Sequence, residues 1–205
     1  MIPAAEALER LKHGNREFVA GRPGRDGLLG HARRAQLAQG QAPFAIILGC
    51  SDSRVPAEIV FNQGLGDLFV IRVAGNIVAP SQVGSVEFAA ARFGTRLVVV
   101  LGHSQCGAIE ATLEELRAPD QNQSRNLRSI VDRIRPAVEV LLRMDRKYQP
   151  DVLLQHAVRA NVSASVNQLK HGSEILEQLI QNEGLRVVGA EYSLETGVVD
   201  FHDGA

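Results

Sequence analysis

The chain has 205 residues, and hydrophobic residues at 45% with charged residues at 22% exclude a disordered or fibrous protein. A chain of this length can bury roughly 70% of the surface that its unfolded form exposes. With 22 basic against 23 acidic residues the formal charge is -1, so nothing pulls the whole molecule toward nucleic acid or an anionic membrane, and a small-molecule partner is expected.

The first predicted element is an amphipathic helix over 3–20, where Leu8, Leu11, Phe18 and Val19 recur at helical spacing among charges until Gly21, Pro23 and Gly24 break the pattern. The same stretch, with Glu6, Glu9 and Arg10 near its start, lacks the unbroken apolar core of a secretory signal, so a cytoplasmic location is expected. A short second helix is read at 31–39. The continuous apolar run Phe44 to Gly49 has the length and character of a strand covered on both faces in a parallel sheet, and it delivers Cys50 at its C-terminal end. Asp67 to Val73 and Arg96 to Leu101 repeat the pattern, the latter leading to Gly102 and His103.

Between the strands, 84–93 reads as a helix and 104–117 as another that begins beside His103. Two long helical patterns follow at 124–147 and 151–182, separated by Pro150, with Asp151 as the expected N-cap. Two strand-like runs, Leu185 to Tyr192 and Gly197 to Phe201, suggest a terminal hairpin. The expected fold is α/β: a central, mainly parallel sheet flanked by helices, with an N-terminal helical extension and a C-terminal β-hairpin. No repeat or long linker divides the chain, so one domain over 1–205 is expected. The longest apolar runs, such as Leu97 to Leu101, are far below the ~20 residues of a membrane-spanning helix.

In open α/β sheets functional groups gather at the C-terminal ends of strands, and two such ends here carry Cys50 and the run His103-Ser-Gln-Cys106. Zinc accepts thiolate sulfur and imidazole nitrogen, and a catalytic site supplies three protein ligands while leaving a fourth position open. Cys50, His103 and Cys106 form such a set. With only two cysteines a closed site of four or three thiolates is excluded, although two cysteines with His103 and a remote histidine remain open. A disulfide, inert core thiols or a redox pair are the competing readings of the same cysteines; neither lies in a Cys-x-x-Cys motif. Within Cys50-Ser-Asp-Ser-Arg54, alternation places Asp52 and Arg54 on the side of Cys50, so that Arg54 can pair with Asp52 and keep it ionised. A surface ion pair is the plainer alternative. Gly102 serves either a turn or a close backbone approach, and Gly107 reads as a turn residue. His13, His31, His156, His171 and His202 have no such context and are expected at the surface or in caps.

Three blocks resemble the β-carbonic anhydrase family: Cys-Ser-Asp-Ser-Arg-Val-Pro-Ala-Glu at 50–58, Gly-Asp-Leu-Phe-Val-Ile-Arg-Val-Ala-Gly-Asn at 66–76, and Gly-His-Ser-Gln-Cys-Gly-Ala at 102–108. Weaker similarity runs from Gly14-Asn15 to Thr196-Gly197. The resemblance implies one Zn²⁺ per subunit on Cys50, His103 and Cys106, and Asp52 with Arg54 as a catalytic dyad. It implies reversible hydration of carbon dioxide to bicarbonate and a proton, by attack of zinc-bound hydroxide oriented by that dyad. In a closed state Asp52 would itself become a fourth ligand. Similarity to the plant-like subgroup adds Gln41 as an amide that hydrogen-bonds substrate, with Phe69, Ala74, Phe88 and Gly107 in the substrate pocket and Phe69 and Ala74 offered by a partner subunit. A homodimer or homotetramer is therefore expected. Two departures are Val73, where many members carry Asn, and Phe88, where the plant-like pocket usually has Tyr. The chain has no Trp, so the Trp-dependent regulatory bicarbonate site of another subgroup is not expected. The alternatives are a hydrolase of CO₂-like molecules, such as carbonyl sulfide or carbon disulfide, and a noncatalytic zinc-binding protein on the same fold.

Overall fold

The strands Ala45–Gly49 (β1), Leu68–Arg72 (β2), Leu97–His103 (β3), Arg186–Tyr192 (β4) and Val199–His202 (β5) form one sheet in the order β2-β1-β3-β4-β5. The three pairings among β1 to β4 are parallel, and only β5 runs antiparallel to its neighbour β4. The computed structural model describes residues 2–22, 31–119, 124–143 and 149–202. Every residue of β1 and β3 is buried, which is why both read as unbroken apolar runs rather than alternating ones.

Alternation nevertheless sorts the side chains between two layers. Ala45, Ile47, Val99 and Leu101 pack with helix α1 (Ala4–Val19) and the short α3 (Ala57–Val60), through Leu8, Leu11 and Val60. Ile46, Leu48, Val98 and Val100 pack on the other face against α4 (Pro80–Arg92), α7 (Pro150–His171) and α8 (Glu174–Glu183), through Val86, Val162 and Leu176. A third cluster closes the C-terminal ends of the strands, where Ile109 and Leu113 of α5 (Gly107–Arg117) meet Ile134 and Val138 of α6 (Arg125–Leu142) and Val158 of α7. Helix α2 (His31–Leu37) lies alongside through Arg33, which with Arg10 grips the carboxylate of Asp67 at 3.3 and 3.0 Å.

Helix α1 is held by one buried amide. Asn15 Nδ2 donates to Val60 O at 3.1 Å and Gly197 O at 2.9 Å, while its Oδ1 accepts from Val199 N at 2.9 Å. The preceding Gly14 lets this approach happen, because a Cβ there would lie 1.9 Å from the backbone oxygen of Phe61.

Several boundaries differ from the sequence expectation. The helix expected over 84–93 starts earlier, at Pro80, and α7 likewise starts on its own proline, with Gln149 as cap and Asp151 inside the first turn. Proline suits the first helical position because its φ is already helical and its missing N–H would be unpaired there anyway. The single helix expected over 151–182 is two: Gly172 ends α7, and Ser173 caps α8 by accepting from Leu176 N at 3.2 Å. The helix expected from 104 begins at Gly107, because Gln105 takes a left-handed φ of 53°. The expected extension of α6 to 147 runs into 144–148, outside the described residues, as do Pro23 and Gly24 and the side chain of His31. His13, His156 and His171 are exposed, but His202 is half-buried beside Gly189. Among the described residues no helix is long and apolar enough to cross a membrane.

Candidate metal centre

Neighbouring strands β1 and β3 pair up to Gly49 and Leu101, so their C-terminal ends place Cys50 and His103 side by side. A two-residue turn then returns the chain so that Cys106 caps α5. The candidate ligand atoms of Cys50, His103 and Cys106 all lie within 4.8 Å of one another, close enough for one ion to take all three. All three residues are buried, and both cysteines are free thiols, so the disulfide reading does not describe this chain.

The imidazole is prepared for a ligand. His103 Nδ1 is 2.9 Å from the carbonyl oxygen of Ser104, an acceptor, so the proton sits on Nδ1 and the lone pair on Nε2. That Nε2 is buried and has no hydrogen-bond partner. A buried orphan nitrogen beside two thiols is the deficit that a cation corrects. The sulfurs are prepared as well. The hydrogen bond from Cys106 pulls the Cys50 thiol well below the usual thiol range against the opposing cost of burial, helped by His103 and by the backbone amides of Asp52 and Gly75. Donating that same hydrogen bond pushes Cys106 up, and burial pushes it further. One thiolate therefore forms readily, and a cation displaces the proton that the pair otherwise shares. For His103, burial opposes the charged ring, but the neighbouring Cys50 sulfur and the Ser104 carbonyl prevail and raise its pKa. The residues present fit zinc in number, chemistry and burial.

Asp52 stands at the edge of this set, with Oδ2 3.9 Å from His103 Nε2. Arg54 holds it by three bonds: Nη2 to Oδ2 at 2.7 Å, Nε to Oδ1 at 2.9 Å, and the backbone N–H to Oδ1 at 3.0 Å. These bonds, the side-chain ones foremost, keep the carboxyl well below the usual carboxylate range despite partial burial. Arg54 also donates to Gln105 O at 3.4 Å, tying the Cys50 loop to the turn before Cys106.

Sequence reasoning missed three groups that shape this loop. Arg72, at the end of β2, donates from Nε to Cys50 O at 3.0 Å and from Nη2 to Asp52 O at 2.6 Å. Gly75 donates its N–H to Cys50 Sγ at 3.4 Å from a 3₁₀ turn over Ala74–Asn76. Asn161 in α7 donates to Gly75 O at 2.8 Å. Arg72 had a signal, as the one charged residue closing an apolar strand; Gly75 acts through its backbone N–H and Asn161 on a backbone carbonyl, and neither leaves one.

The remaining site candidates divide. Ala74 precedes Gly75 in the turn that touches Cys50, and Gly107 follows Cys106, exposed, with open space where a Cβ would be. Gly102 is a close approach rather than a turn: a Cβ there would meet Val162 Cγ2 at 2.5 Å. Phe69 sits on β2 opposite Ile46, among Phe88 and Phe93, with Phe88 half in solvent. Gln41 precedes β1 in an open groove of about 590 Å³ lined also by Arg34, Leu37 and Gly66. The five residues of β1 span about 16 Å, so Gln41 lies at the opposite end of the strand from Cys50. Within one chain, Gln41, Phe69 and Phe88 are not brought to the metal ligands.

A parallel sheet whose adjacent strand ends offer two thiols and an imidazole to one ion defines a metalloenzyme of α/β architecture. The carbonic anhydrase family model matches residues 45–199, across all three ligands. The chain is similar to carbonic anhydrase 2 of Mycobacterium tuberculosis, at 40% identity over 96% of this chain and 92% of that one. It is also similar to the carbonic anhydrase of Mycolicibacterium smegmatis, at 39% over 95% and 91%. One of two tetrameric β-carbonic anhydrases from Sordaria macrospora shares the fold with a TM-score of 0.74 and 26% identity, over 82% of this chain and 84% of that one. The chain belongs to the β-class carbonic anhydrase family.

Proposed function

We propose that the chain catalyses the reversible hydration of carbon dioxide to bicarbonate and a proton, with Cys50, His103 and Cys106 holding zinc and Asp52 and Arg54 acting as a dyad. The convergence of the three ligand atoms around an unpartnered His103 Nε2 carries this reading. Zinc bound there supplies the Lewis acidity that makes water a nucleophile near neutral pH. Asp52, kept ionised by Arg54, is an acceptor only, so it takes a hydrogen bond from the attacking water and turns the oxygen lone pair toward the carbon of CO₂. The guanidinium fork prevents the carboxylate from rotating away. Arg72 fixes the carbonyls on either side of Ser51, and so the position of the loop that carries both Cys50 and Asp52.

Gln41 would steady the forming bicarbonate, and Phe69 and Phe88 would give an apolar entrance for CO₂, once a partner subunit brings them to the metal. A homodimer or homotetramer of one domain spanning 1–205, working in the cytoplasm where thiol ligands stay reduced, completes the reading. The test is stopped-flow CO₂ hydration on protein of measured zinc content, with carbonyl sulfide and carbon disulfide run in parallel. Turnover of CO₂ in proportion to bound zinc is expected. Zinc-loaded protein that hydrates no CO₂ would reject the assignment, and turnover of the sulfur compounds alone would replace it with the hydrolase reading.

A further inference from the structure

Helix α7 faces the sheet and the strand ends with an apolar surface that includes Ala157, Val158, Val162 and Val166, yet Asn161 and Ser165 interrupt it, 2% and 5% exposed. Burying an amide and a hydroxyl is costly unless both are used. Four residues apart on one helix face, they meet the same short segment. Asn161 Nδ2 donates to Gly75 O at 2.8 Å, and Ser165 Oγ donates to Asn76 O at 3.2 Å.

That segment is strained and tightly enclosed. Gly75 has φ 68° and Asn76 φ 42°, and a Cβ on Gly75 would lie 2.9 Å from Ile134 Cδ1 and 3.2 Å from Ala108 Cβ. Consecutive left-handed residues persist only where their surroundings dictate them. The N–H on the other side of Gly75 Cα is the one that donates to Cys50 Sγ. The direction of that N–H is therefore set by the carbonyls that α7 holds.

We infer that Asn161 and Ser165 are positioning residues of the metal centre: by clamping the carbonyls of Gly75 and Asn76 they aim the Gly75 N–H at Cys50 Sγ and so limit how strongly that thiolate donates to the metal. The inference rests on Cys50 being a ligand. A hydrogen bond to a thiolate stabilises its charge and so draws electron density away from the metal bond. Two thiolates cancel the formal charge of a divalent ion, so relief at one of them preserves part of its electrophilicity.

The test compares Asn161→Asp, which keeps the shape and replaces the amide N–H donor with a carboxyl oxygen, and Ser165→Ala, with Val166→Ala, a buried neighbour on the same helix that packs on the sheet instead. Two readouts are taken: zinc affinity by competition with a chromophoric chelator, and the sulfur-to-metal charge-transfer band of the cobalt-substituted protein. Asn161→Asp is expected to shift the band to lower energy, as the sulfur donates more freely, and to weaken zinc about 10–100-fold, because the Gly75 turn no longer holds Cys50 in place. Ser165→Ala should do the same to a smaller extent, whereas Val166→Ala should lower the unfolding midpoint and move neither readout. If Asn161→Asp does not fold, Ser165→Ala decides by the same two measurements. Folded Asn161→Asp and Ser165→Ala proteins with zinc affinity within about twofold of the parent and an unmoved band overturn the inference, as does a Val166→Ala protein that shifts both equally. A parent chain that takes up no zinc overturns the metal-centre reading and this inference with it; a zinc-loaded parent with unaffected variants overturns this inference alone.

Discussion

At the residue scale, an exposed Asp-Arg pair is ordinarily worth little. What distinguishes Asp52 is that its second oxygen lies 3.9 Å from an imidazole nitrogen with no other partner, while the guanidinium fork occupies its outer side. Replacing it with Asn leaves an amide of the same shape that can present a donor where an acceptor is needed. Asp52→Asn is therefore expected to retain its zinc, measured by a colorimetric chelator, and to lose about 100-fold or more of its CO₂ hydration rate in stopped flow. Unchanged turnover would remove Asp52 from the mechanism. The three candidate ligands were legible in the sequence because strand ends in a parallel sheet are where side chains converge, and a cysteine and a histidine at two such ends are informative without coordinates. Gly75 and Asn161 were not legible, since the one acts through its backbone N–H and the other on a backbone carbonyl, atoms that any residue type would offer; Arg72 was marked only as a charge closing an apolar strand.

At the scale of elements, the core strands were readable because both faces of the sheet are covered, which turns β1 and β3 into unbroken apolar runs. The break between α7 and α8 was hidden for a related reason: Leu169, Leu176 and Leu179 belong to one cluster, so their apolar spacing runs on across Gly172 and Ser173. The junction is visible only through the Ser173 cap, a short-range hydrogen bond that periodicity does not register. Helix α1 offers a sharper test, because a single amide side chain fixes it to two distant elements. Asn15→Ala leaves two carbonyls and one N–H without their partner, and is expected to destabilise the fold by about 3 kcal/mol. Urea denaturation checks this, the midpoint falling while the slope stays the same.

At the scale of the whole molecule, the metal would join β1, β3 and the start of α5 at a single point. Removing zinc with a chelator should then lower the unfolding midpoint, by about 10 °C where free zinc had been held about 1,000-fold above its dissociation constant. Re-addition of zinc should restore it, as followed by scanning calorimetry. The placement of Gln41 and Phe69 at the far end of the sheet makes a second expectation. If a partner supplies Gln41, co-refolded Asp52→Asn and Gln41→Ala subunits will recover activity that neither variant shows alone, because one of the two sites in a mixed pair is intact. Absence of any recovery would place the amide's role within its own chain or remove it. The position of Gln41 along the chain was readable, but its relation to the metal was not, since the partner that would connect them is a property of the assembly.

The anchoring of Asn15 also bears on how the molecule is made. Two of its three hydrogen bonds await Gly197 and Val199, and the first of these lies 182 residues downstream. At bacterial or eukaryotic rates of translation that delay amounts to about 10–35 s. Throughout that interval α1 has its early partners, Val60 O for Asn15 and Ala45, Ile47 and Val60 for its leucines, but the amide's other two bonds are unmade and the helix is only partly anchored.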